Sequence, residues 1–60
     1  IMMEKFENIE TLIESARVEA EKFYQKGNKT AGTRLRKLMQ DLKNAAQEVR
    51  VEVQETKANL

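Results

Sequence analysis

The sequence predicts an all-α fold, an antiparallel two-helix hairpin that self-associates into a four-helix bundle dimer. Two stripes of apolar residues recur at alternating threes and fours, the second until its last step, no proline interrupts either, and the only glycines, Gly27 and Gly32, fall where the stripes meet. That spacing keeps one side of a helix apolar, whereas a half-buried strand would alternate by twos. The 60 residues form a single domain, with a helix over about 3–26, a turn at about 27–29 and a helix over about 30–57.

The first helix is carried by Met2, Phe6, Ile9, Ile13, Ala16, Ala20 and Phe23, a heptad seam that Leu12 and Tyr24 widen into the stripe of a bundle helix. Phe6, Phe23 and Tyr24 fall on or beside this stripe and are assigned to the core rather than to base stacking. The chain is expected to turn at the glycines. Gly27 suits the left-handed residue that ends a helix, and Asn28 or Thr30 can cap the next by accepting backbone N–H bonds. The second stripe reads Ala31, Leu35, Leu38, Leu42, Ala45, Val49 and Val53. Helices joined by so short a turn must run antiparallel.

A chain this short buries only about 60% of its unfolded surface, so it needs a staple. It has no cysteine for disulfides, and neither histidine nor cysteine for a transition-metal site; association with further copies remains. Ala16, Ala20, Ala31 and Ala45 allow close helix approach, while Met39, Ala46 and Val53, seven apart beside the main stripe, offer a second contact surface. Val18 and Val51 lie outside both stripes and are expected on the surface. Ile1, ahead of Met2 and Met3, reads as a remnant of an expression tag and is left out of fold reasoning.

Charge is the best clue to function. Lys22, Lys26, Lys29, Arg34, Arg36 and Lys37 lie between Lys22 and Gln40 with no acidic residue among them, although the chain's net charge is only +1. Residues 1–21 set Glu4, Glu7, Glu10, Glu14, Glu19 and Glu21 against Lys5 and Arg17, and residues 41–60 are slightly acidic. The turn is thus a cationic pole, and such poles attract polyanions, nucleic acid above all. Lys22 and Lys26 are explained by the fold alone, because cations favour a helix C-terminus. Lys29, Arg34, Arg36 and Lys37 crowd the positive end of the second helix, where the nearest of them cost a few tenths of a kcal/mol each. An external anion would offset that cost. The phosphate-binding residues expected here are Lys26, Lys29, Thr30, Thr33, Arg34, Arg36 and Lys37, aided by first-turn N–H groups without intrahelical partners. The bland reading of the same residues is a solvated polar loop.

Other chemistries are disfavoured. Gly27 and Gly32 have the spacing of a nucleotide-binding loop, but Thr33 stands where its lysine belongs and a helix precedes it. Asn28-Lys29-Thr30 matches a glycosylation acceptor by chance. The rows Glu7, Glu10, Glu14 and Glu48, Glu52, Glu55 have no histidine to complete a di-metal pair. Ser15 and the threonines have no histidine base, so no enzyme, cofactor or small-molecule substrate is expected. No apolar run is long enough for a membrane span and no secretory segment is evident, so the protein is read as soluble and cytoplasmic.

Around Gly27-Asn28-Lys29-Thr30-Ala31-Gly32-Thr33-Arg34, with Arg36-Lys37, the chain resembles small bacterial histone-like proteins related to the chlamydial linker-histone-like family. The likeness runs more loosely through the acidic helix before and Leu42 to Glu52 after. Thr30 and Leu35 depart from the pattern, standing where small alanines are typical. The resemblance implies a helical, DNA-compacting protein of the bacterial nucleoid with little sequence preference, and a role for Lys29, Arg34, Arg36 and Lys37 in backbone contact. It also implies a lysine-rich C-terminal extension in longer members, which supplies most of their affinity; this chain ends at Leu60 with only Lys57 nearby.

Together these features predict a homo-oligomer that binds the phosphate backbone of DNA, or of RNA, through its basic turn without reading sequence. The alternative is a homo-oligomeric helical adaptor that docks a protein partner through its acidic and apolar faces. A membrane-surface role ranks below both, because the first helix is acidic beside its stripe.

Overall fold

The computed structural model describes residues 3–60, so Met2 of the first stripe lies outside the described residues. Two helices, α1 (Glu4–Lys26) and α2 (Lys29–Ala58), account for nearly all of them, with no strand among the described residues. Gly27 ends α1 in the left-handed conformation, with φ 67° and ψ 24°, a region that L side chains enter at a cost and glycine does not. The Gly27 N–H then donates to the Phe23 carbonyl and the Asn28 N–H to the Lys22 carbonyl, each at 3.1 Å, satisfying the last turn of α1. Asn28 caps α2 by accepting the Ala31 N–H at 3.0 Å, so of the two capping candidates it is Asn28, not Thr30, that serves.

Gly32 does not turn the chain. It lies inside α2, and its role is steric: a Cβ built there would sit 2.6 and 2.8 Å from Cδ1 and Cε1 of the Phe23 ring. The missing side chain lets the end of α1 lie flat on the first turn of α2.

The hairpin is a rod of 48 × 17 × 11 Å, its long axis set by the 30 residues of α2 at about 1.5 Å each. Among the described residues only Ala16, Ala31 and Ala45 are buried. They form the seam where the helices approach, flanked by half-buried Ile9, Leu12, Ala20, Leu35, Leu38, Leu42 and Val49.

Within a single hairpin the aromatic residues are not covered. Phe6 is 48% and Tyr24 75% exposed, and even Phe23 keeps over a third of its surface in water. Ile13, Met39 and Val53 are exposed beside them. Two helices make a single line of contact, so only residues pointing along it are covered. The remainder of each stripe, including Ile13, Met39, Ala46 and Val53, forms one face with nothing over it. Val18 and Val51 are exposed, as expected.

Surface area makes the same point. The chain exposes 5170 Å², against roughly 4,000 Å² for a compact protein of its mass. Among the described residues three ion pairs decorate the hairpin: Lys5–Glu52 at 4.0 Å toward the open end, Arg34–Glu19 at 2.9 Å near the turn, and Lys37–Asp41 along α2. Exposed pairs of this kind contribute less than about 1 kcal/mol each.

Candidate nucleic-acid interface

The turn end gathers the cations because the connection is only two residues long, which brings the last turn of α1 and the first two turns of α2 to one tip. Lys26, Lys29, Thr30, Thr33, Arg34, Arg36 and Lys37 are all exposed. At 100° per residue they do not share one surface. Lys29, Thr33 and Arg36 fall on one side of α2, where with Phe23, Tyr24 and Gly32 they line a shallow cleft of about 280 Å³. Thr30, Arg34 and Lys37 fall on another side, and Lys26 stands on α1 beside Lys22.

Their electrostatic states also differ. Arg34 Nε donates to Glu19 Oε1 at 2.9 Å; its side chain is still 46% exposed, whereas that of Glu19 is mostly covered. Lys37 Nζ donates to Asp41 Oδ1 and remains more exposed than its partner. Both cations can therefore face an anion while tethered to a carboxylate that partly cancels their charge. Lys22, Lys26, Lys29 and Arg36 have no ion-pair partner among the described residues.

The backbone is less open than the first-turn argument expects. Asn28 takes the Ala31 N–H with its side chain, and the Gly32 N–H donates to the Asn28 carbonyl at 3.2 Å. Ahead of that first intrahelical bond lie only the N–H groups of Lys29 and Thr30. Thr33 Oγ1 turns back toward the Lys29 carbonyl at 3.5 Å, which pulls its hydroxyl away from an incoming phosphate. Side-chain charge, more than backbone donors, is what this tip offers an anion.

No acidic residue occupies the first turn of α2, whereas Glu4 and Glu7 occupy that of α1. The sequence reasoning missed the Arg34–Glu19 pair, which needs the register between the helices, and the cleft beside Tyr24. The i, i+4 spacing of Lys37 and Asp41 could have revealed the third pair.

The described residues hold no cluster of acidic, histidine or cysteine side chains suited to a metal, and no helix is long and apolar enough to cross a membrane. No curated protein and no solved structure matches the chain. Residues 3–59 match the family model of Hc1, described as histone H1-like protein Hc1, and over that nearly complete length the chain belongs to the Hc1 family.

Proposed function

We propose that the chain is a histone-like nucleoid protein that contacts the DNA phosphate backbone through its basic turn, without reading sequence, as a self-associated four-helix bundle dimer. Membership of a histone H1-like family points to a DNA-binding nucleoid role. The carrying observation is the set of cations at the turn: among the described residues Lys22, Lys26, Lys29 and Arg36 have no carboxylate partner, and Lys29 and Arg36 stand near a helix start where the dipole disfavours them. Lys26, Lys29, Thr30, Arg34, Arg36 and Lys37 are the contacting residues, with Thr33 joining them once its hydroxyl leaves the Lys29 carbonyl. No ladder of asparagine or glutamine accompanies the arginines, so bases are not read in the groove.

Self-association follows from the uncovered face. The area in excess of a compact chain is of the order that one partner buries in a standard interface, about 800 Å². An antiparallel pair sets the cationic tip of one copy beside the acidic half of the other and leaves a basic pole at each end of the assembly, so that it can link two duplex segments.

The test is affinity for a random-sequence duplex as salt is raised. With about six phosphates contacted, log K against log salt has a slope near −5. A slope flatter than −2 removes the proposal. A second reading, a helical adaptor for a protein partner, is favoured by the exposure of Phe6, Ile13 and Met39. It is separated by changing Arg34, Arg36 and Lys37 to glutamate: loss of DNA retention with the oligomer intact supports the first reading, and a wild-type chain never retained on DNA supports the second.

A further inference from the structure

Tyr24 is the aromatic residue the hairpin uses least, at 75% exposure, yet it is not loosely placed. The Phe23 ring meets it edge to face, with centroids 5.0 Å apart and planes at 75°. Phe23 is itself fixed, because its Cδ1–Cε1 edge lies against Gly32 where no side chain intervenes. The chain of support runs from Gly32 through Phe23 to Tyr24, which lines the turn cleft and also the neighbouring depression of Ile13 and Met39. The rim of the turn cleft carries Lys29 and Arg36, two cations without carboxylate partners among the described residues. They stand seven residues, and so about 10.5 Å, apart along one side of α2. The cleft, about 280 Å³ and open to water, is small for a drug-sized ligand and suits one planar ring.

We propose that this cleft is a stacking site for an unpaired nucleobase: the base lies on Tyr24, and the phosphates on either side of it meet Lys29 and Arg36. The proposal rests on the nucleic-acid reading above and deepens it by naming the form of strand recognised. In a duplex the faces of the bases are covered by their neighbours, and opening a step for an inserted side chain costs a few kcal/mol. A single strand, a loop or a frayed end offers its base faces freely, and stacking on an aromatic side chain between cations is how such strands are held without sequence preference. The duplex therefore uses the cations alone, and the single strand uses the cations together with Tyr24.

The experiment exploits Tyr24 being the only tyrosine in a chain without tryptophan, so that intrinsic tyrosine emission reports this site alone. The full 60-residue chain is titrated at low salt with an oligothymidine and with a duplex of random sequence. Tyr24→Leu and Tyr24→Phe are run in parallel, with circular dichroism as the check on folding. The expected result is quenching by oligothymidine and not by duplex. Tyr24→Leu should weaken oligothymidine binding on the order of tenfold and leave duplex binding within about twofold, while Tyr24→Phe keeps both. Equal weakening of both strands by Tyr24→Leu, equal quenching by both, or an emission change on diluting the protein alone, which would assign Tyr24 to the self-association face, each overturns the proposal. Duplex binding with the salt slope given above, but no Tyr24 dependence for the single strand, rejects this site and leaves the backbone reading standing. Absence of binding to either strand removes both.

Discussion

The starts of the two helices are built in opposite ways. α1 begins at Glu4 with no side-chain cap, but Glu4 and Glu7 supply negative charge to its first turn. α2 begins with an asparagine cap and has no acidic residue in its first turn; Lys29, Arg34, Arg36 and Lys37 follow within two and a half turns. The first arrangement suits the helix dipole, and the second is satisfied geometrically by Asn28 while opposing it electrostatically. A stability argument alone accounts for α1 and not for α2. The difference separates what the fold requires at the turn, namely Gly27, Asn28 and Gly32, from cations such as Lys29 and Arg36 that form no ion pair among the described residues.

The largest effect should come from removing those cations. Each phosphate contact at 0.1 M salt is worth about 0.9 log units of affinity through counterion release. Changing Arg34, Arg36 and Lys37 to glutamate should therefore lower duplex affinity by a few hundred-fold or more in a fluorescence anisotropy titration. Reversing Glu4 and Glu7 to lysine, at the other helix start, should leave duplex affinity undiminished. If the two outcomes were interchanged, the asymmetry between the helix starts would have no functional meaning.

The second break falls on the uncovered face. Ile13 and Met39 flank one depression on that side of the hairpin, and placing a carboxylate on each should weaken self-association on the order of 100-fold, since an unpaired buried charge is costly. Sedimentation equilibrium measures it. Val18→Glu, on a surface outside both stripes, is the control and should leave the assembly unchanged. Persistence of the dimer in the double variant would move the interface elsewhere.

Much of this architecture was legible in the residues and some was not, for physical reasons. The two helices and the left-handed Gly27 follow from local rules: heptad spacing, absence of proline, and glycine at a helix end. Gly32 lies inside the helix expected over about 30–57, but its role is tertiary. Only the crossing of the helices shows that Phe23 fills the space a Cβ would take. The exposure of the aromatics in a single hairpin has a related cause. Periodicity places Phe6, Phe23 and Tyr24 near an apolar stripe but cannot say whether one neighbouring helix is wide enough to cover them, and it is not. Charge segregation was visible by inspection, whereas the tether from Arg34 to Glu19, fifteen residues away, depends on register that sequence spacing does not encode.

The Gly32–Phe23 contact can be sharpened by a double-mutant cycle. Alanine in place of an interior helix glycine ordinarily adds about 1 kcal/mol of stability, but at Gly32 the new Cβ would meet the Phe23 ring at 2.6 Å. Gly32→Ala should destabilise the hairpin in urea unfolding followed by circular dichroism, and the same change in a Phe23→Ala background should stabilise it by about 1 kcal/mol. Equal effects in both backgrounds would mean that Phe23 does not rest on Gly32.

The smallest effect tests the contrast between the helix starts most directly. Lys29 is the first residue of α2, so Lys29→Glu exchanges a charge that opposes the dipole for one that favours it. The gain should be a few tenths of a kcal/mol at low ionic strength, fading as salt is raised. Glu4→Lys at the equivalent position of α1 should lose a similar amount. Because Lys29 has no carboxylate partner among the described residues, its replacement breaks no ion pair that could mask the change. A variant that is slightly more stable and binds duplex less well would show stability and binding pulling in opposite directions at one residue, as expected where a cation stands for the sake of a partner. Should Lys29→Glu instead lower stability, Lys29 would be contributing to the hairpin itself, and the case for an external anion would lose the residue at which the fold has least use for a positive charge.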